Sequence, residues 1–150
     1  MKIKDCSEKD NVYGDGGFWA YSGTFKEHFL KPKNFLKEDE DFVADGIGTC
    51  DSFACGDTMM FLVKIDKKTN KIKDCRWRTF GCAATLASTS MLSSMILENG
   101  GMDIKKAKKI TPEQIIQRLG GLPDKKINCA VLGHKALRDA ILDYERKNAK

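Results

Sequence analysis

The chain has 150 residues, of which 41% are hydrophobic and 31% are charged, and its net charge is +5. This length and composition are typical of one globular domain that can bury a core without a metal or a disulfide. No apolar run approaches the roughly 18 residues of a membrane span, and the first ten residues lack the apolar core of an export signal. We therefore expect a cytoplasmic protein that does not contact a membrane.

The charge is uneven along the chain. Residues 101–150 carry 12 basic and 6 acidic side chains, and the basic run KKAKK lies at Lys105–Lys109. A surface that binds single-stranded nucleic acid would combine aromatic side chains with the cations, and this run contains none. We interpret the run as a solvated helix face suited to an acidic protein partner, and we expect no nucleic-acid partner.

The first predicted elements are a helix and a strand. Residues 1–20, which include the glycine-rich GDGG, predict a poorly ordered N-terminal extension. A short helix is predicted over Tyr21–Leu30, with Ser22 as its N-cap and KPKN as its stop signal. After the acidic linker KEDED, the segment Phe42–Cys50 predicts a strand that contains glycine.

A hairpin is predicted next. Four apolar residues alternate along its first strand: Met59, Phe61, Val63 and Ile65. The turn falls at Lys67–Asn70, and the second strand places Cys75 and Trp77 on one face.

After Gly81 the apolar residues change to helical spacing. One helix runs from there to the glycines at 100 and 101, and a short basic helix spans Asp103–Lys109. Thr111 begins a third helix that ends at Gly120, and Asn128 is the predicted N-cap of the last helix. Because the strands and the helices are segregated along the chain, we predict an α+β fold with a single domain over residues 21–150.

Three of the six cysteines stand at junctions between predicted elements. Cys82 and Cys129 each precede a helix, where unpaired N–H groups and the helix dipole favour a thiolate. Cys55 lies between two strands, and Gly56 allows Cys55 and Asp57 to face one centre. Three thiolates and one carboxylate suit either tetrahedral zinc or a [2Fe–2S] cluster with one non-thiolate ligand, and the spacing does not distinguish them.

The other thiols and the two histidines are weaker candidates for ligands. We predict that Cys75 belongs to the core and that Cys6 is a free thiol in the extension. Cys50 is predicted to be a filler residue, with a spare thiol as the alternative. His28 and His134 are predicted to be surface residues rather than ligands.

Four segments together resemble the U-type iron–sulfur cluster assembly scaffolds, the family of IscU and of the N-terminal domain of NifU. They occur in the family's order and at compatible spacings between about residues 21 and 144: YSGTFKEHFLKPKNF, ACGDTMMFLVKID, DCRWRTFGCAATLASTSML and NCAVLGHKALRDAI. The resemblance implies a small three-stranded antiparallel sheet packed with helices, the last of them long. It also implies a transient [2Fe–2S] cluster, built from iron and from sulfur that a cysteine desulfurase delivers, with an electron donor such as ferredoxin. The cluster would then pass to acceptor apo-proteins.

By motif, the resemblance assigns the cluster ligands to Cys55, Cys82 and Cys129, with Asp57 as a ligand or a labilising group. Cys129 falls on the family's usual persulfide acceptor. A carboxylate oxygen matches an iron–sulfur centre less well than a fourth thiolate does. We therefore expect Asp57 to keep the cluster labile.

The chain departs from the common family pattern in three places. Asn128 stands where a histidine usually precedes the last cysteine, so the fourth ligand position depends more heavily on Asp57. Residues 122–126, LPDKK, retain only part of the Leu-Pro-Pro-Val-Lys chaperone-recognition motif, so dependence on the Hsp70-type chaperone is not implied. The long insertion of the zinc-containing SufU branch is missing between Cys82 and Cys129.

Three alternatives to the scaffold remain at this point. One is a zinc-bound sulfur acceptor for a desulfurase, which would use the same four ligands. Another is a stable electron carrier of ferredoxin type, for which Cys50 would have to supply a fourth thiolate. The last is a purely structural zinc domain, although a chain of this size does not need a metal to fold.

Overall fold

In the computed structural model, residues 22–52, 56–122 and 126–149 are described. The predicted N-terminal extension, 1–20, and the predicted ligand Cys55 lie outside the described residues. Within those ranges, no helix combines the length and the apolar character needed to cross a membrane.

Three antiparallel strands form one sheet, which confirms the predicted architecture. Strand β1 spans Gly46–Ser52, β2 spans Asp57–Asp66 and β3 spans Lys71–Phe80, in the order β1-β2-β3. The turn between β2 and β3 lies at residues 67–70, as predicted. Alternate residues of the hairpin are buried in the core, and they include both predicted sets: Met59, Phe61, Val63, Ile65, Cys75 and Trp77.

The start of β1 is four residues later than the predicted Phe42, and its end is two residues later than predicted. The Phe42 ring lies over the Lys64 ammonium, which is 4.4 Å from the ring centroid, and over the Arg76 guanidinium at 5.1 Å. Lys64 belongs to β2 and Arg76 to β3. Phe42 therefore contacts the two other strands of the sheet, and the segment before β1 does not extend that strand.

Five α-helices lie within the described part of the chain. Ser22 caps the first, and its side chain accepts a hydrogen bond from the Phe25 N–H at 3.0 Å, as predicted. Thr111 and Gln114 form the predicted capping box of the fourth. The helices are α1 (Gly23–Leu30), α2 (Ala83–Leu97), α3 (Ile104–Lys108), α4 (Pro112–Leu119) and α5 (Ile127–Asn148).

Helix α2 is buried on nearly every side, and its small hydroxyl residues bind the segment that follows α1. Ser90 Oγ accepts a hydrogen bond from the Lys33 N–H at 2.8 Å and lies 2.7 Å from His28 Nδ1. His28 is buried, so the prediction that it is a surface residue is wrong. The Ser90 hydroxyl gives the ring a polar partner inside the protein, and burial lowers the pKa of His28.

Helix α5 lies directly against β1, and glycines make this contact possible. A Cβ atom at Gly46 would lie 2.1 Å from the carbonyl oxygen of Ala140, and one at Gly48 would lie 2.0 Å from that of Ala136. Small residues on both elements therefore allow the two backbones to approach closely. Because Cys129 lies in the first turn of α5, this contact fixes the position of that thiol relative to the sheet.

The predicted N-cap residue of α5, Asn128, is wrong. The helix begins at Ile127 with Lys126 as the N-cap residue, and no side chain caps it. Ile127 is already helical, so Asn128 lies within the first turn of the helix, where its side chain is exposed. Cys129 is consequently the third residue of the helix rather than a residue before it. The predicted apolar face of the helix is buried, as expected: Leu137, Ala140, Ile141 and Tyr144.

Candidate metal centre

Three segments that are distant in the sequence meet at one place. Cys82 is the N-cap of α2, Cys129 lies in the first turn of α5, and Asp57 is the first residue of β2. Gly56, just before Asp57, adopts a φ of 72°, in the left-handed region that favours glycine, which confirms the predicted need for glycine at this position. Its N–H donates to the Ser52 carbonyl oxygen at 2.8 Å. The chain can thus bring a carboxylate to the N-terminal ends of two helices.

The distances between these side chains suit a metal ion. The sulfur atoms of Cys82 and Cys129 are 3.4 Å apart. With a carboxylate oxygen of Asp57, they form a group whose ligand atoms all lie within 4.8 Å of one another. Two thiolates on one tetrahedral zinc ion, each about 2.3 Å from the metal, lie about 3.8 Å apart. The pair therefore needs only a small adjustment to chelate one ion.

Burial differs between the three groups. Asp57 and Cys129 are buried, with 6% and 5% of their surface exposed, whereas Cys82 is half-buried. A buried carboxylate requires hydrogen-bond donors. The Thr85 hydroxyl donates to Asp57 Oδ2 at 2.7 Å, and the Cys82 N–H donates to the same oxygen at 3.4 Å. Both donors belong to the start of α2, so this helix holds the carboxylate while Cys82 remains accessible.

The hydrogen bond between the two thiols shifts their pKa values in opposite directions. A hydrogen bond from Cys129 lowers the pKa of the Cys82 thiol, and Thr85 and the positive charge of Lys126 lower it further, while desolvation opposes them. The hydrogen bond to Cys82, together with burial, raises the pKa of Cys129. The hydrogen bond between the two sulfur atoms therefore favours a thiolate at Cys82. The thiolate is the form that binds metals and attacks sulfur.

The other candidates lie apart from this group. Cys75 is fully buried, as predicted, and burial raises its pKa. Cys50 is partly buried on β1 against the core, and burial raises its pKa, which agrees with a filler role. His134 is half-buried on α5, and its Nδ1 has no hydrogen-bond partner among the described residues. Neither His134 nor His28 belongs to the group of three.

Thr85 is a residue of the site that the sequence analysis missed. It is fully buried, and its hydroxyl oxygen lies 2.7 Å from Asp57 Oδ2 and 3.5 Å from Cys82 Sγ. Residues three apart share a helix face, so a threonine three residues after an N-cap cysteine lies beside that cysteine. The spacing Cys-Ala-Ala-Thr at residues 82–85 is the signal that could have identified it.

A family model described as the NifU-like N terminal domain matches residues 20–150. The chain belongs to the NifU-like N-terminal domain family. The match covers the segments that carry Cys82 and Cys129 and the whole sheet between the first helix and α2. The predicted family is therefore confirmed.

Several proteins resemble this family member over most of its length. The iron-sulfur cluster assembly scaffold protein IscU 1 of Archaeoglobus fulgidus is 43% identical over 130 residues, which cover 87% of this chain and 80% of that protein. The corresponding IscU of Aquifex aeolicus is 40% identical over 133 residues, covering 88% and 80%. The nitrogen fixation protein NifU of Azotobacter chroococcum is 38% identical over 126 residues, which cover 84% of this chain but only 39% of that longer protein.

Solved structures share the fold at low sequence identity. A putative iron-sulfur cluster assembly scaffold protein for the SUF system from Fervidobacterium islandicum aligns with a TM-score of 0.58 and 22% identity, covering 81% of this chain and 96% of that one. A NifU-like N-terminal protein from Brucella abortus aligns with a TM-score of 0.59 and 18% identity, covering 92% and 97%. The predicted α+β fold is confirmed by this likeness, which concerns the fold alone.

Proposed function

We propose that this protein is a scaffold on which a transient iron–sulfur cluster is assembled and from which the cluster passes to acceptor apo-proteins. The observation that carries the proposal is the pair of sulfur atoms 3.4 Å apart beside a buried carboxylate. Support also comes from two relatives, 43% and 40% identical, that are themselves named iron-sulfur cluster assembly scaffold proteins. The cluster is the cargo of such a protein rather than a permanent part of it.

We assign the cargo to four ligands and propose a [2Fe–2S] cluster. Cys82, Cys129 and Asp57 form the group described above, and Cys55, two residues before Asp57 in the sequence, is proposed as the third thiolate. Thiolate ligands suit iron–sulfur clusters, and they also bind zinc well. Zinc therefore competes for the same site, and its presence in a purified sample would not decide the function.

Sulfur enters, in this proposal, as the outer sulfur of a persulfide on a cysteine desulfurase. The sulfur atoms of Cys129 and Cys82 are 3.4 Å apart, so the two thiols can share one proton and Cys129 can react as a thiolate. The resulting Cys129 thiolate attacks the outer sulfur, a new S–S bond forms on Cys129, and the desulfurase cysteine leaves as a thiolate. The positive charge of Lys126, which favours thiolate at both cysteines, supports this step.

In this proposal, release of the cluster depends on Asp57, the one ligand that does not bind through sulfur. A carboxylate oxygen is a harder ligand than a thiolate and is less well matched to an iron–sulfur centre. A cluster held by three thiolates and Asp57 should therefore leave more readily than one held by four thiolates. This property suits a scaffold, and it argues against a stable electron carrier.

A zinc-bound sulfur acceptor is the second candidate. The separation of the sulfur pair, 3.4 Å, is close to the value of about 3.8 Å for two thiolates on one zinc ion. In that function Cys129 would receive sulfur from a desulfurase, while no iron–sulfur cluster would form. The two candidates share their ligands and differ in the metal and in the product.

Anaerobic reconstitution with ferrous iron, cysteine and a cysteine desulfurase tests the proposal. The wild-type protein should develop iron–sulfur absorption and lose it to an added apo-ferredoxin, whereas Cys82→Ser and Cys129→Ser should not load. Cys75→Ser is the matched control, because it alters a buried thiol outside the site and should load like the wild type. Retained zinc with a persulfide on Cys129 and no iron–sulfur absorption would favour the second candidate. Equal loading of Cys82→Ser and the wild type would contradict both.

A further inference from the structure

We propose that Thr85 is a positioning residue that holds the Asp57 carboxylate in place as a metal ligand. This inference rests on the proposed function, because it takes Asp57 to be one of the ligands of the cargo. Thr85 is fully buried at the third position of α2. Its hydroxyl oxygen lies between two of the assigned ligands, 2.7 Å from Asp57 Oδ2 and 3.5 Å from Cys82 Sγ.

The single hydroxyl proton of Thr85 has one well-placed acceptor. A distance of 2.7 Å is that of a strong hydrogen bond from a hydroxyl to a carboxylate, while 3.5 Å to sulfur is a weaker contact. The shorter hydrogen bond of the Thr85 hydroxyl is therefore the one to Asp57. Among the described residues, both hydrogen bonds to the carboxylate end on Oδ2, so Oδ1 is the oxygen left to bind a metal.

The absence of a side chain at Gly81 lets this backbone lie close to the hydrogen bond between Thr85 and Asp57. A Cβ atom at Gly81 would lie 3.0 Å from Asp57 Oδ2 and 3.1 Å from the Thr85 Cβ. Threonine is also stiff about its first side-chain torsion, because its Cβ is branched. No other side chain of the described residues donates to Asp57. The orientation of the ligand thus depends chiefly on the Thr85 hydroxyl, with the longer hydrogen bond from the Cys82 N–H as its second support.

Replacing Thr85 by valine removes the donor and keeps the shape of the side chain. Hydrogen-bond partners of metal ligands typically alter metal affinity by about 10- to 100-fold when they are removed. We therefore expect Thr85→Val to weaken binding of Co²⁺, used as a spectroscopic probe, by about this factor. The visible absorption bands of bound Co²⁺ should also shift, because an oxygen ligand is lost. Thr85→Ser, which restores the hydroxyl, should recover both the affinity and the spectrum.

Thr89 provides a matched control on the same helix. Its hydroxyl is fully buried, one turn further along α2, and has no hydrogen-bond partner among the described residues. Thr89→Val makes the same chemical change as Thr85→Val but removes no hydrogen bond to a ligand. We expect Thr89→Val to bind Co²⁺ as the wild type does and to give the same spectrum.

A double-mutant cycle tests whether Thr85 acts through Asp57. In an Asp57→Ala background, Thr85→Val should cause no further loss of Co²⁺ affinity, because the carboxylate that it positions is gone. The inference is overturned if Thr85→Val binds Co²⁺ like the wild type, or if its effect is undiminished in the Asp57→Ala background. If Thr85→Val does not fold, as judged by circular dichroism, Thr85→Ala takes its place. It removes the same hydroxyl, so Co²⁺ affinity and a spectrum equal to those of the wild type would also overturn the inference.

The cycle separates this inference from the proposed function. Co²⁺ binding requires neither a desulfurase nor an acceptor protein. If the Co²⁺ results hold while no iron–sulfur cluster forms, the positioning role of Thr85 stands and the scaffold function fails. If clusters form and transfer normally in Thr85→Val while its Co²⁺ affinity is unchanged, the scaffold function stands and the positioning role of Thr85 fails.

Discussion

Replacing Gly48 by alanine tests the contact that places Cys129 near Asp57. The added Cβ would lie 2.0 Å from the Ala136 carbonyl oxygen and 2.4 Å from the Ala140 nitrogen. Ordinary contact begins at 3.4 Å, so β1 and α5 must separate by about 1.4 Å, the difference between 3.4 and 2.0 Å. Backbone atoms cannot rotate out of the way as side chains can, so we expect a cost near the upper end of overpacking, about 3 kcal/mol.

Urea unfolding of the metal-free protein measures this cost. With a denaturant dependence of about 2 kcal/mol per molar, the midpoint should fall by about 1.5 M urea. Co²⁺ affinity should fall as well, because a shift of α5 moves Cys129 away from Cys82. Thr49→Ala is the control, since Thr49 is the exposed neighbour on the same strand and should cost no more than about 0.5 kcal/mol. Equal midpoints and equal Co²⁺ affinities for the two variants would refute the claim that this contact sets the geometry of the site.

Three further predictions concern single groups. Asp57→Ala should slow transfer of the reconstituted cluster to apo-ferredoxin, since the hard oxygen ligand is lost; transfer at the wild-type rate, followed by absorption, would exclude a labilising role. The lowered pKa of Cys82 means that its alkylation by iodoacetamide, mapped by mass spectrometry, should stay fast as the pH falls below the usual value of about 8.5. Cys129→Ala removes the main cause of that lowering and should shift the alkylation profile to higher pH; an unchanged profile would disprove the shared proton. Thr111→Ala should lower the free energy of unfolding by about 1 kcal/mol through loss of the α4 cap, with cluster loading unchanged, and a larger loss would indicate a role beyond capping.

Local signals in the sequence were enough to predict most elements. The alternation from Met59 to Ile65 and the capping box at Thr111 depend only on neighbouring residues, and both appear in the structure as expected. The start of β1 could not be found in this way. Phe42, the predicted first residue, instead contacts the cations of two other strands, which are distant in the sequence.

Three of the four proposed ligands could be named from the sequence as a set, whereas their geometry could not be predicted. The resemblance pointed to Asp57, Cys82 and Cys129, and the fold brings these three together. The distance between the two sulfur atoms, however, depends on how α2 packs against α5, where a Cβ atom at Gly133 would lie 2.9 Å from Thr89 Oγ1. No local signal in the sequence indicated this contact. Thr85 was missed for a related reason, because one hydroxyl in a run of small residues gains its role only from the carboxylate that folds against it.

The most direct test of the account is to count iron and sulfide on the protein over time by native mass spectrometry. The protein is first reconstituted anaerobically with ferrous iron, cysteine and a desulfurase, and apo-ferredoxin is then added. We predict a species with two irons and two sulfides per chain that disappears at the rate at which ferredoxin gains the same atoms. A chain that holds only zinc, or one that keeps its cluster while ferredoxin stays empty, would contradict the scaffold function.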